Sequence, residues 1–136
     1  MIRENVQVYI YSQECEKVLM LKRTEERSGY WQPVCGGIEA GETLIEAGIR
    51  EVYEETGIRE YKELIRLANE YEYHEPKNGI KMHMRDRCLL MIIERNVEIR
   101  LSEEHVEYRW CRLSEVSGLN DWEPMVDSIS LIREII

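Results

Sequence analysis

The chain has 136 residues, 18 Lys and Arg against 27 Asp and Glu, a formal charge of −9 at pH 7, 43% hydrophobic and 33% charged residues. That balance describes one globular domain over 1–136, long enough to bury its own core, and excludes a disordered segment. An acidic chain lacks the basic field that non-specific nucleic-acid binding needs. No apolar run approaches the ~18 residues that span a bilayer, and the first residues lack the apolar stretch of a secretory leader.

In chain order, Val6, Val8 and Ile10 alternate with Gln7, Tyr9 and Tyr11, which predicts a half-buried strand. Val18-Leu19-Met20-Leu21 is a compact apolar run, predicted as a central strand ending in Lys22-Arg23, and residues 24–29 read as a polar surface loop. Residues 30–34 form a short extended piece, with Pro33 confining it to a strand start, an edge or an irregular stretch. A glycine-rich loop over 36–42 leads to Thr43, an N-cap whose capping box is completed by Glu46. The spacing predicts a helix over 44–56, closed by Gly57, with Ile45, Ile49, Val52 and Thr56 as its core-facing stripe.

Residues 64–73 and 81–94 read as strands, with Lys77-Asn78-Gly79 as the turn between them, and 97–101 alternates weakly. Val106, Tyr108 and Trp110 alternate with polar neighbours in one more strand, and 113–116 reads as a helical turn. A closing helix starts near Pro124 and is expected to carry Val126, Ile129, Ile132 and Ile136 inward. The class is α/β: a mixed sheet with helices packed on its faces. Cys15, Cys35, Cys88 and Cys111 are far apart and form no C-x-x-C pair, so they read as buried, reduced thiols of a cytosolic protein. His74, His83 and His105 are equally scattered and read as ordinary residues.

The chemistry concentrates on the first predicted helix. At 100° per residue, Glu51 lies about 40° from Glu55 and about 60° from Glu54, so three carboxylates share about 100° of helix surface. Like charges at this spacing destabilise a helix by a few tenths of a kcal/mol per pair, and the dipole disfavours anions at its C-terminal end. Hard oxygen ligands on one spot suit Mg²⁺ or Mn²⁺. Taken alone, the same glutamates also fit an acidic solvated face.

The surrounding spacing is more specific. Gly36, five residues, Glu42, seven residues, Arg50-Glu51-Val52, one residue, Glu54-Glu55, one residue and Gly57-Ile58 occupy 36–58. This resembles the signature of the Nudix hydrolases, G-x5-E-x7-R-E-U-x-E-E-x-G-U with U a bulky aliphatic, at every specified position. The resemblance implies a Nudix-type α/β/α sandwich with a mixed β-sheet and a Mg²⁺-dependent pyrophosphohydrolase, with Mn²⁺ as a substitute. It implies Glu51 and Glu55 as main metal ligands, Glu54 as a further ligand or base, and Arg50 as the partner that orients a glutamate. It further implies Glu42 as a catalytic or supporting carboxylate, and a backbone carbonyl at Cys35 or Gly36 as another metal contact. Phosphorus in a polyphosphate is shielded by anionic oxygens, so a nucleophilic water needs charge neutralisation and in-line placement. In a chain of charge −9, the metal with Lys22, Arg23 or Arg50 would have to invert the local field.

Val18 to Arg23, Tyr30-Trp31-Gln32, Glu104-His105 and Tyr108-Arg109-Trp110 are similar to stretches of the dihydroneopterin triphosphate pyrophosphohydrolase branch. That similarity implies a substrate contact at Arg23 and a metal contact at Glu104. Cys35 stands where the branch has a hydroxyl residue, and Asp121 where a small hydroxyl contact is expected. Trp31, Trp110 and Trp122 are candidates to stack on a base or pterin ring, Trp122 foremost because its neighbours are polar; each also fits a core position. Tyr71 and Tyr73 lie where some diadenosine polyphosphate hydrolases carry a tyrosine, and a strand face explains them equally. The expectation is a cytoplasmic enzyme, monomeric or homodimeric, with a small nucleotide or pterin polyphosphate as partner and no nucleic acid or membrane. Arg23, Trp31, Cys35 and Trp122 are its expected substrate contacts. A nucleoside or pterin triphosphate would yield a monophosphate; diadenosine polyphosphate or ADP-ribose hydrolysis, or a non-catalytic nucleotide-binding module, are the alternatives.

Overall fold

In the computed structural model, which describes residues 1–136, the first strand, β1 (Ile2–Ser12), is buried without a break from Asn5 to Ser12. The alternation predicts one solvated face; instead it separates two cores. Val6, Val8 and Ile10 enter one hydrophobic cluster, while Tyr9 and Tyr11 enter a second on the opposite face. Successive strand residues point to opposite faces, so a strand covered on both sides buries both sets.

The other strands are β2 (Lys17–Arg23), β3 (Trp31–Gln32), β4 (Val34–Gly37), β5 (Glu63–Lys77), β6 (Ile80–Ile93) and β7 (His105–Cys111). The helices are α1 (Leu44–Thr56), α2 (Val116–Leu119) and α3 (Glu123–Ile135). One seven-stranded sheet runs β3-β2-β1-β6-β5, with β4 beside β1 and β7 beside β2. β1 and β6 are parallel and the remaining pairs antiparallel, as expected of a mixed sheet. Ala47 and Val52 of α1 join the first cluster, and Met125, Ile129 and Ile132 of α3 join the second. This is the expected sandwich.

β1 and β2 pair only at Tyr11–Val18 and Ser12–Lys17 and then part. The fork is filled by 31–37, with β3 hydrogen-bonded to β2 and β4 to β1. Pro33, which has no N–H to donate, falls at the switch between them. β4 thereby delivers Gly36 and Gly37 to the front of α1. Strand β5 is longer than predicted and β6 begins one residue earlier, because Asn78 (φ 53°) and Gly79 (φ 77°) make a two-residue turn that keeps pairing up to Lys77 and Ile80.

Three expected faces need correction. In α1, Ile45 and Ile49 are 40% and 36% exposed; Ala47, Gly48, Glu51, Val52, Glu55 and Thr56 are the buried residues. Close packing explains the rotation, since a Cβ on Gly48 would stand 2.6 Å from a methyl of Leu89. In α3, Met125, Ser128, Ile129 and Ile132 are buried while Val126 and Ile136 are exposed. In β7, an edge strand paired only to β2, His105 and Cys111 are buried and Val106 and Tyr108 are exposed. Residues 97–101 form no strand, and Ile99 alone among them joins a core cluster. All four cysteines are free, Cys88 and Cys111 buried, Cys15 and Cys35 half-buried. No helix is long and apolar enough to cross a membrane.

Candidate active site

Helix α1 is fixed at both ends by its own sequence. Thr43 Oγ1 accepts from the Glu46 N–H at 3.1 Å, and Glu46 Oε1 accepts from the Thr43 N–H at 2.9 Å. Gly57, at φ 82°, donates its N–H to Tyr53 O and closes the last turn in a left-handed conformation that other residues resist. Such caps hold the helix in place, so the side chains on its buried face arrive at set positions.

Arg50 is the hub. Its Nε and Nη2 donate to the two oxygens of Glu42 at 2.6 and 2.9 Å, a bidentate pair. Nη2 also donates to the Gly37 carbonyl at 2.9 Å, and Nη1 to Glu51 at 2.7 Å and Glu54 at 3.2 Å. The guanidinium beside Glu42, helped by the Glu39 N–H, lowers that carboxyl to about 2. Glu42 in turn, with Glu51 and Glu54, raises Arg50 above its ordinary value. One cation therefore ties the loop of Gly37 and Glu42 to the helix of Glu51 and Glu54.

Glu55 sits behind this hub and is 1% exposed, with neither carboxylate oxygen hydrogen-bonded. Burial, and then the neighbouring Glu51 carboxylate, push it up to about 10. His105 Nδ1 lies 3.4 Å from Glu55 Oε1 and its Nε2 is 3.0 Å from Gln32 Nε2. Burial lowers the imidazole to about 4, so it is neutral at pH 7. Because the Gln32 amide N–H donates to Nε2, the ring proton is on Nδ1 and faces Glu55. A Cβ on Gly36 would stand 2.0 Å from Glu51 Oε2, so only glycine leaves room for that carboxylate.

Of these groups Gly36, Gly37, Gln32, Glu51 and Glu54 line a cleft of about 1400 Å³, whereas Glu42, Arg50, Glu55 and His105 lie behind its wall. Of the expected contacts, Arg23, Cys35, Gly36, Glu51, Glu54, Glu104, Asp121 and Trp122 line it. Arg23 stacks on the Tyr30 ring, hydrogen-bonds its hydroxyl and reaches Glu75 at 3.5 Å. Burial raises the Cys35 thiol well above its usual range. Trp122 is 38% exposed and stands edge-on to Tyr71 and Tyr73. Trp31 and Lys22 are not among the lining residues. Trp31 packs on the second core cluster and under the Arg109 guanidinium, and Trp110 packs on the first cluster.

In the metal-free arrangement the expected glutamates are turned to other partners. No three His, Cys, Asp or Glu side chains already form a ligand set. Arg50 draws Glu51 and Glu54, and Arg27 draws Glu104 at 2.5 Å. A hard divalent cation nevertheless fits the residues present on one observation: both buried oxygens of Glu55 lack a partner and lie beside a second carboxylate.

Sequence reasoning missed the cations Arg3, Arg27 and Lys77 and the amides Asn5 and Gln7, all of which line the cleft. It also passed over His105 as a neighbour of Glu55. Arg3, Asn5 and Gln7 share an alternating strand, which offered the one available signal, but the polar face reads as solvated until the second layer is known.

The sandwich, the capped glutamate helix and the Arg50 hub define a pyrophosphohydrolase of the Nudix type. A family model described as the NUDIX domain matches residues 1–130, and the chain belongs to that family. Dihydroneopterin triphosphate diphosphatase of Escherichia coli (strain K12) is 32% identical over 117 residues, 78% of this chain and 75% of that protein. The asymmetrical bis(5'-nucleosyl)-tetraphosphatase of Rattus norvegicus is 32% identical over 111 residues, 78% and 71% of the two chains. The solved E. coli dihydroneopterin triphosphate pyrophosphohydrolase superposes with a TM-score of 0.80 at 25% identity, covering 96% of this chain and 95% of that one.

Proposed function

We propose that residues 1–136 act as a single Nudix domain that hydrolyses a nucleoside or pterin triphosphate to a monophosphate and pyrophosphate. Water adds to one phosphorus, the bridging P–O bond breaks, and the proton lost by water ends on solvent or a carboxylate. The observation that carries the reading is the partnerless, buried Glu55 just behind Glu51 and Glu54, which Arg50 holds and which line a wide cleft.

Glu51, Glu54 and Glu55, with Glu104 and the backbone carbonyl of Cys35 or Gly36, are the residues that would hold Mg²⁺, with Mn²⁺ as a substitute. When bound, the cation offsets phosphate charge and makes water more acidic. Arg50 keeps Glu42, Glu51 and the Gly37 carbonyl in register. The Nδ1–H of His105 offers a donor to Glu55 once that carboxylate is ionised. Arg23 and Arg27, freed from Glu75 and Glu104, supply positive charge to the polyphosphate within an acidic chain. Cys35 and Trp122 complete the substrate wall.

A dinucleoside polyphosphate is the second reading. It is favoured by the volume of the cleft, larger than the roughly 300–1000 Å³ common for small-ligand sites, and by the likeness to the rat tetraphosphatase. ADP-ribose hydrolysis and a non-catalytic nucleotide-binding module rank below both; a pure binder has no use for the complete set of glutamates around Arg50. The free thiols agree with a cytoplasmic location, and the net charge with a small-molecule partner rather than nucleic acid.

The test is a panel of dihydroneopterin triphosphate, dNTPs, 8-oxo-dGTP, diadenosine tetraphosphate and ADP-ribose with Mg²⁺, reading pyrophosphate and phosphate release. A triphosphate turned over fastest is the expected result. Faster cleavage of a dinucleotide moves the assignment to the second reading, and release from none of them to the binding module.

A further inference from the structure

Asp86 is 0% exposed and has no ion-pair partner; three neutral groups donate to it. Asn5 Nδ2 and Gln7 Nε2 each reach it at 2.9 Å, and the Tyr73 hydroxyl bonds its two oxygens at 3.0 and 3.1 Å. A buried carboxylate without a cation is an expensive way to fill a core position. Its geometric effect is to fix which way three cleft-lining groups point, because an acceptor-only carboxylate forces each of them to present a hydrogen to it.

What remains unused can then be counted. The second Asn5 N–H points at Met84 Sδ at 3.5 Å, so Asn5 has only its Oδ1 left, and no protein group donates to that oxygen. Gln7 Oε1 accepts from Tyr9 at 3.3 Å, leaving Gln7 one N–H. Tyr73 has given its proton to Asp86 and keeps its oxygen as an acceptor. Asn5, Gln7 and Tyr73 all line the cleft, and Trp122 stands 5.2 Å from the Tyr73 ring with part of its surface exposed.

We propose that Asp86 is a positioning residue for substrate choice: it locks Asn5, Gln7 and Tyr73 into a floor of two acceptors and one donor that reads a 2-amino-4-oxopyrimidine edge, the edge shared by guanine and pterin. That edge carries two N–H donors and one carbonyl acceptor, the complement of the floor. Adenine and cytosine edges offer one donor at the matching positions, and uracil offers one donor with two acceptors. The inference rests on the triphosphate reading for the remainder of the substrate, but ring choice does not depend on hydrolysis.

Calorimetric titration of the metal-free protein with GMP, AMP, UMP and neopterin monophosphate tests the ring edge apart from catalysis. GMP and neopterin monophosphate should each bind at least about tenfold tighter than AMP and UMP, the scale expected when buried polar groups are left unpaired. Asp86→Asn, which adds a donor where only acceptors belong, should bring the four ligands to within about threefold of one another. Asn5→Leu should do the same and decides the matter if the Asp86 variant fails to fold. AMP binding as tightly as GMP to the wild type, or an unchanged preference in Asn5→Leu, would overturn the proposal. Preference for one of the two favoured ligands identifies the natural ring. If no triphosphate is hydrolysed while the preference persists, the hydrolase reading fails and the floor stands.

Discussion

The Cα of Gly36 and the carboxylate of Glu51 are so close that a Cβ on the glycine would overlap Oε2 at 2.0 Å. The contact joins the end of β4 to the middle of α1, the two elements whose residues would hold the proposed divalent cation. Gly36→Ala should therefore displace Glu51 while leaving the cores untouched, since no core residue is altered. Turnover is expected to fall by about a hundredfold, the scale of an ångström-level misplacement in an active site, with the far-ultraviolet spectrum unchanged. Wild-type turnover would show that Glu51 can move without consequence.

Arg50→Lys keeps a positive charge but loses the planar fork that bonds Glu42 through two nitrogens. Glu42 has a folded pKa of about 2, below its ordinary 4.5, because Arg50 donates to it. A depressed carboxyl stabilises the fold above its unfolded value and loses that contribution as pH falls through the folded one. Melting temperatures of the wild type should thus decline between pH 4.5 and about 2, and Arg50→Lys should show a shallower decline over that window. Turnover at pH 7 should fall by about ten- to a hundredfold, since the same arginine orients Glu51.

Glu55 reverses that sign. Its folded value, about 10 against 4.5, means that the metal-free native state binds a proton the unfolded chain has released, and stability drops as pH rises across that window. His105 works the other way below neutrality: its folded value of about 4 makes the fold lose stability as pH falls from 6.5. Glu55→Gln should flatten the alkaline limb and raise the melting temperature of the metal-free protein at pH 8, because the amide is neutral without taking up a proton. It should also abolish turnover and any rise in melting temperature on adding Mg²⁺. A variant that Mg²⁺ still stabilises as strongly would remove Glu55 from the ligand set.

Arg23 and Trp31 make a matched pair of controls. Arg23 lines the cleft and has a buried Nε without a partner, whereas Trp31 faces the second core. Arg23→Ala should weaken triphosphate binding by about 1.5–3 kcal/mol, as for hydrogen bonds to charged groups, seen as a raised KM. Trp31→Leu should lower the melting temperature and leave KM within about twofold. The reverse pattern would place the substrate on the other side of β3.

Glu104→Gln tests the riskier ligand. Glu104 lies at the cleft, where Arg27 holds its Oε1 and leaves Oε2 without a protein partner. kcat should fall more than KM rises; equal turnover at saturating substrate would leave Glu104 as no more than the partner of Arg27.

How much of this was legible depended on whether the chemistry was local in sequence. Thr43, Glu46 and Gly57 specify a helix with caps at both ends, and the structure reproduces it residue for residue. The spacing of Gly36, Glu42, Arg50 and Glu51 is equally local, and the hub follows from it. The buried face of α1 was misread because hydrophobicity favours Ile45 and Ile49, whereas packing against Leu89 selects Gly48. His105 beside Glu55 joins residues 50 apart in the chain, and Asp86 beside Asn5 and Gln7 joins residues 81 and 79 apart. No periodicity within a strand encodes such a pairing.

The bond from Asn5 to Asp86 spans 81 residues, and it forms on the parallel seam between β1 and β6, which runs from Ile2–His83 to Ser12–Ile93. During synthesis β1 emerges first, and its edge toward β6 stays unpaired until that strand has been translated. At roughly 5–20 residues per second that interval is about 4–16 s. The floor of the cleft therefore cannot assemble until β6 has been made, and a nascent chain arrested before residue 80 holds the complete glutamate helix without the strand that closes the cleft beneath it.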